Sequence, residues 1–379
     1  MKPPRPLRSL PPEGARPTTG AAQLPGGRLL SHDGPRSRIL AALLAAIVVG
    51  LVLVPFLLPG ARAMNVGAKI MVFVVLVASF DILLGYTGIV SFAQTMFFGI
   101  GAYGVAIAAT RIGPTWGALA LGTLAALAVS LVLSLVVGLF SLRVRAIFFA
   151  MITLAVASAF ATLASQLSEW TGGEDGLNFK VPEALRPGTT YLEGGFLGAS
   201  VDGRLLTYYG LFVCATLLVL AMLRIVNSPF GRVLQAIRDN DFRAEAIGYR
   251  IVVWRTTASV LSALFATLAG VLLAVWLRFN NPDTTLSFEI MLDVLLIVVI
   301  GGMGTIHGAV VGSALLVLAQ NYLQDLMKLA AGAVQGIPVV EQIGSPDRWL
   351  LWLGILFILS VYHFPSGVVG RLRAGADRS

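Results

Sequence analysis

Long apolar runs separated by short polar or glycine-rich intervals repeat along the chain from residue 39 onward. Ten of them approach or exceed the length needed to cross a hydrocarbon core of about 30 Å as a helix. They cover 39–59, 65–84, 90–110, 116–140, 146–166, 205–226, 255–277, 288–303, 305–327 and 349–364. The run 90–110 is interrupted by glycines, and 288–303 is short and carries Asp293 one turn after Glu289. The first run is too long for the apolar centre of a secretory signal and lacks a small-residue cleavage site, so it reads as a retained span. The pattern predicts an all-α integral membrane protein of about ten transmembrane helices. Residues 1–38, rich in Pro, Gly and Arg, read as a disordered basic segment; 39–364 form the membrane domain; 365–379 form a basic tail.

Composition agrees: 57% of residues are hydrophobic and 12% charged, whereas soluble domains carry about a quarter charged residues. The formal charge of +8 matters through its placement. With the N-terminus in the cytoplasm, 18 of the 27 Lys and Arg fall in inside segments: before Ile39, at Arg143 and Arg145, from Arg224 to Arg255, and beyond Phe364. The positive-inside bias therefore predicts both termini in the cytoplasm, and the charge is an orientation signal, with no nucleic-acid partner implied. The longest outside segment, 167–204, is acidic, with Glu169, Glu174, Asp175, Glu183, Glu193 and Asp202. It reads either as a solvated connector or as a docking surface for a soluble partner. The single cysteine, Cys214, lies in an apolar run, which excludes an intrachain disulfide and suggests no metal cluster.

The inside loop 227–254 is the most strongly patterned polar stretch. Ser228-Pro229 is a helix start, a capping hydroxyl followed by a ring whose missing N–H costs nothing at the first helical position. Asp239-Asn240-Asp241 is capping material and predicts a break before a second short helix, which Gly248 ends as a left-handed cap. Asp239 and Arg243 stand at acid-before-base, four-residue spacing. Arg238, Asp239, Asn240, Asp241, Phe242, Arg243, Ala244, Glu245 and Gly248 are the candidate contact residues if this helix pair docks into another protein; the alternative is an ordinary solvated loop.

Three features lie within the apolar runs. Leu83–Gln94 and Phe98–Gly104 hold five glycines, and irregular backbone at membrane depth is tolerated only where protein or a cavity surrounds it. Asp81, Gly85, Thr87, Ser91 and Gln94 are candidates for the translocation path; a structural hydrogen-bonding role for Asp81 stands beside that reading, since an intramembrane carboxylate must be paired, neutral or in contact with water. Gly304, Gly308 and Gly312 recur every four residues and, if helical, form a packing stripe. Asp293 reads as a structural residue, positioned to pair with a neighbouring helix or face water. No phosphate loop, nucleophile elbow or zinc-binding helix is present, so the chain is read as no enzyme and as binding no cofactor, ATP included.

Five segments carry a resemblance: Leu84-Gly85-Tyr86-Thr87-Gly88, Phe97–Tyr103, Thr171-Gly172-Gly173-Glu174-Asp175-Gly176-Leu177, the 228–250 island, and Val299–Thr305. From about Asn65 to Phe364 the chain resembles the permease subunits of branched-chain amino-acid ABC importers. The resemblance implies a bacterial inner-membrane permease paired with a second homologous permease chain. Two cytoplasmic ATP-binding subunits would dock on a coupling helix in the 228–250 island, and an extracytoplasmic substrate-binding protein would deliver the cargo. Within the island only Ala244 and Gly248 match the family's Glu-Ala-Ala, three residues, Gly pattern; Ser228–Arg232 and Ala236-Ile237-Arg238 carry the likeness. Gly88–Gln94 departs from the family's usual Gly-Gln-Leu-Ser-Leu-Gly-His, Asp81 replaces a frequent Asn, and Gly308-Ala309 stand for Gly-Pro. Cargo of related systems includes urea, short amides and other amino acids. From a different class, a self-sufficient channel or secondary transporter would account for Asp81 and the glycines but gives 228–250 no purpose.

Overall fold

The computed structural model of the chain describes residues 37–57, 60–141, 146–196, 199–333, 348–364 and 367–376. The expected disordered N-terminal segment lies almost wholly outside them, as do Arg143 and Arg145. Every one of the ten apolar runs is a helix. In order these are α1 (Arg38–Leu57), α2 (Ala61–Thr87), α3 (Gln94–Arg111), α4 (Trp116–Ser141) and α5 (Ala146–Gln166), followed by a short α6 (Ser168–Thr171). After the segment 167–204 come α7 (Gly203–Val226), the paired short helices α8 (Pro229–Asp239) and α9 (Asp241–Ala246), and α10 (Ile251–Leu277). The chain continues through α11 (Pro282–Thr285), α12 (Phe288–Gly301), α13 (Ile306–Ala333), α14 (Trp349–His363) and α15 (Gly367–Ala376). Nine helices among the described residues are long and apolar enough to cross a membrane; α3, the glycine-interrupted run, is the predicted span outside that set.

The core is built around α2, which is buried along nearly its whole length, with α10 packed on it and α3 packed on α10; α4 lies against α3 and α10. Glycines set these spacings. A Cβ on Gly101 would run into the Thr267 carbonyl oxygen, and one on Gly270 into the Phe98 carbonyl oxygen, so α3 and α10 meet backbone to backbone. The glycines of α3 therefore serve close helix packing within a continuous helix, not an unwound segment. A buried polar knot pins the same three helices: Gln94 Nε2 donates to Ser79 Oγ at 2.7 Å, and Ser262 Oγ donates to the Ser79 carbonyl at 2.6 Å.

Two small antiparallel ladders interrupt the all-α plan. β1 (Leu177–Asn178) pairs with β4 (Phe279–Asn280), and β2 (Thr190–Phe196) with β3 (Ala199–Asp202). The segment 167–204 is anchored at its start: Phe179, Val181 and Leu185 are buried against Ala102, Val105, Ala106 and Ala274. In the Thr171–Leu177 stretch, Gly172, Gly173 and Gly176 all have positive φ, and Thr171 Oγ1 donates to the Ala164 carbonyl at 2.6 Å. Part of the expected tail is also structured. Val369 of α15 is fully buried with Leu40 and Val311, because Val368, Val369 and Leu372 fall on one helical face.

Gly101→Ala should lower the apparent unfolding temperature of the detergent-solubilised protein by several degrees, overpacking costing about 1–3 kcal/mol. Gly354→Ala, whose added Cβ meets nothing within 4 Å, should leave it unchanged; equal temperatures for both variants would contradict backbone contact between α3 and α10.

Candidate functional site

The island between α7 and α10 folds as its punctuation predicts. Ser228 caps α8, its Oγ accepting from the Phe230 N–H at 3.2 Å, with Pro229 at the first helical position. Gly231 abuts the Val226 carbonyl oxygen, so the turn from α7 into α8 has no room for a side chain there. Asn240 ends α8 and caps α9 in one step, its Oδ1 accepting from the Arg243 N–H at 3.0 Å. Gly248 has φ +97 with open space around it, so its requirement is purely one of backbone conformation. The break at Asn240 places Asp239 on α8 and Arg243 on α9, so their four-residue spacing is not a helical pair. The ion pair that forms is Asp241 with Arg255, at 2.9 Å, tying α9 to α10. Trp254 adds ring contacts with Phe230 at 5.4 Å and Tyr249 at 5.7 Å.

The two helices face two ways. Gly231, Leu234 and Ile237 of α8 and Ala244 of α9 are buried against the protein. Phe242 and Ile247 point outward, 86% and 73% exposed. Two large apolar side chains this exposed within a charged island form an anchor pair of the kind that fills a partner's pocket.

Arg238 runs the other way. From the last turn of α8 its Nη1 donates to the carbonyl oxygen of Gly85, near the end of α2. Gly85 is packed against the turn between α12 and α13: its Cβ would strike Asp81 Oδ1 and the backbone of Gly304. Asp81, 1% exposed, accepts the Gly304 N–H at 2.8 Å, with the Thr305 N–H and the Arg238 guanidinium also acting on its carboxylate. Gly304 has φ +78, and its Cβ would lie 3.1 Å from Arg238 Nη1. Four chain segments thus meet at one point: α2, α8, the turn 302–305, and α15, whose Gly367 packs on Gly302.

The residues expected on a translocation path have the following partners. Asp81 and Gly85 belong to the junction with α8. Thr87 Oγ1 donates back to the Leu83 carbonyl at 2.5 Å, Ser91 Oγ accepts the Ala93 N–H at 3.3 Å, and Gln94 is held in the α2–α3–α10 knot. All three are buried. The glycine stripe is divided as well. Gly308 and Gly312 lie on α13 against α12, Gly312 beside the Ile297 carbonyl, whereas Gly304 precedes the helix and serves the turn. Asp293 accepts from Gln320 Nε2 of α13 at 2.8 Å.

Known proteins share this sequence at family level. The profile of the family described as "Branched-chain amino acid transport system / permease component" matches residues 62–361. The chain belongs to that permease family. Similar proteins include the high-affinity branched-chain amino acid transport system permease proteins LivM of Salmonella typhimurium and Escherichia coli. They are 27% and 28% identical over 322 residues, 81% of this chain and 74% of each relative. The autoinducer 2 import system permease protein LsrC of Yersinia pseudotuberculosis is 31% identical over 170 residues, 44% of this chain and 42% of that protein. No solved structure matches the chain. The chain is accordingly a multi-pass inner-membrane transport permease subunit and not an enzyme.

In this permease, the partnership of Arg238 with Gly85 and Asp81 escaped sequence reasoning, which placed Arg238 among residues facing a partner. The signal available was a glycine four residues after a membrane-embedded carboxylate, a spacing that opens one helical face for a close approach. Asp81→Asn keeps an acceptor for Gly304 and should fold normally. Asp81→Leu leaves that buried N–H unpaired, a loss of about 1–3 kcal/mol, and should lower the apparent unfolding temperature in detergent. A Leu variant as stable as the wild type would mean that Asp81 does not hold the 302–305 turn.

Proposed function

We propose that the chain is half of the transmembrane unit of an ATP-driven, binding-protein-dependent importer for branched-chain or other hydrophobic amino acids. A second homologous permease chain completes the path. Two cytoplasmic ATP-binding subunits supply ATP hydrolysis and hold the nucleotide, and an extracytoplasmic binding protein presents the cargo. The observation that carries this reading is the two-faced island: Phe242 on α9 and Ile247 at its C-terminal end stand outward, while Arg238 on the adjoining α8 reaches into the membrane domain. A passive connector needs neither face. The names of the LivM relatives support the cargo class, and the distribution of basic residues supports cytoplasmic termini and an outside location for 167–204.

In this scheme an ATP-binding subunit grips α9 through the two apolar anchors and α8 moves with it. Because Arg238 is bonded to the end of α2, the displacement reaches the junction with the 302–305 turn and switches access between the two sides.

Phe242→Asp combined with Ile247→Asp should leave the permease in the membrane while co-purification of the ATP-binding subunits and leucine uptake both fall at least tenfold. Gly248→Leu, which forces a bulky L-residue to φ +97 at a cost of about 1–2 kcal/mol, should reduce both in the same direction. Unchanged assembly and uptake in both variants would reduce the island to a connector. For orientation, Lys180→Cys and Gln235→Cys in a Cys214→Ser background should react oppositely with an impermeant maleimide on intact cells, and equal reaction would overturn the topology.

A further inference from the structure

At the end of the membrane domain opposite the island, a cavity of about 660 Å³ opens between α2, α10, α12 and α13. This volume falls in the range of small-molecule sites. It lies near Lys69, roughly 24 Å along α2 from Gly85 at 1.5 Å per residue, and so is separate from the junction. Its walls combine three kinds of surface. Phe73, Trp276 and Ile290 are apolar; Lys69 brings an ammonium from α2 and Asp293 a carboxylate from α12, both partly buried, while Arg62, Asp283 and Glu289 stand exposed around them.

The two charges do not neutralise one another. Among the described residues neither makes an ion pair. Both bind Gln320 instead: its Oε1 accepts from Lys69 Nζ at 3.5 Å, and its Nε2 donates to Asp293 Oδ1 at 2.8 Å. Arg62 at the rim, by contrast, is already paired with Asp325 at 2.6 Å. Lys69 is further steadied by the Phe73 ring, 5.3 Å from its ammonium. Opposite charges inside a membrane domain normally pair directly. Here an amide keeps them apart, and both face one cavity with an aromatic wall.

We propose that this cavity binds a zwitterionic α-amino acid with an apolar side chain, Lys69 taking its carboxylate, Asp293 its ammonium, and Phe73, Trp276 and Ile290 its side chain. The proposal rests on the importer reading for its place in transport, but the recognition chemistry comes from the cavity. Such a site accepts cargo only when both charged groups are present. It binds amines, carboxylic acids and neutral amides of the same size more weakly, because each leaves one partly buried charged group without a ligand partner.

The test uses the full-length chain in phosphatidylcholine vesicles with Ile290→Cys in a Cys214→Ser background, and Leu277→Cys as a second reporter at the same cavity should the first fail to insert. The rate of modification by a charged methanethiosulfonate reagent is measured with L-leucine, N-acetyl-L-leucine or L-leucinamide at equal millimolar concentration. The expected result is at least threefold slowing by leucine alone, abolished by Lys69→Met and by Asp293→Asn. No slowing by leucine, or equal slowing by all three compounds, would overturn the site. Modification that follows added phosphatidylethanolamine and ignores leucine would assign the cavity to a lipid headgroup and equally overturn it. Failure here with ATP-binding subunits still docking on α9 rejects the cavity and leaves the importer reading standing. Protection by leucine in a chain that binds no such subunit rejects the importer reading alone.

Discussion

A carboxylate placed among membrane spans must be supplied with donors or it destabilises the protein around it. Asp81 is such a group, and its surroundings follow from that need. The Gly304 N–H, 2.8 Å away, is available because the backbone turns at Gly302 and Gly304 with positive φ, freeing amides that a continuous helix would have used. That turn can sit so near α2 only because residue 85 has no side chain. Arg238 adds a cation from outside the bundle and completes the junction by bonding the Gly85 carbonyl. One buried carboxyl group and the glycine a turn beyond it thus bring together a helix end, an interhelical turn and the peripheral helix α8.

The same economy runs through the rest of the core. Between apolar helices in lipid there is little hydrophobic driving force, so packing and hydrogen bonds carry the association. Backbone contact at Gly101 and Gly270 supplies the first, and the Gln94–Ser79–Ser262 knot the second. Helices α2, α3 and α10 are thereby tied together into one unit. By contrast α4, α5, α7 and α14 expose large apolar side chains such as Leu124, Met151, Leu217 and Leu350. These exposed apolar faces suit lipid, or the second permease chain proposed above.

Much of this was legible in the sequence, because local rules govern it. The ten apolar runs appear as helices, and Ser228, Asn240 and Gly248 perform the capping and stopping roles their chemistry suggests. What was not legible depends on contacts between distant segments. Gly85 and Arg238 are 153 residues apart, Asp81 and Gly304 223. No periodicity connects them, so neither the partners of Asp81 and Gly85 nor those of Gln94 could be read along the chain. The spacing of Asp239 and Arg243 misled for the opposite reason: it is a helical rule applied across a helix break. Gly304 misled likewise, its four-residue spacing to Gly308 spanning the start of α13. The 167–204 segment read as an acidic connector or docking surface, because Phe179, Val181 and Leu185 show their anchoring role only once α3 and α10 provide a surface.

In the proposed scheme Arg238 links a docked ATP-binding subunit to the membrane domain, while Phe242 and Ile247 serve as the docking anchors. The most direct measurement is the number of amino-acid molecules imported per ATP hydrolysed by the reconstituted complex carrying Arg238→Ala. Assembly and ATP hydrolysis should persist while uptake per ATP falls at least tenfold. An unchanged ratio in that variant would contradict transmission through the Arg238–Gly85 contact.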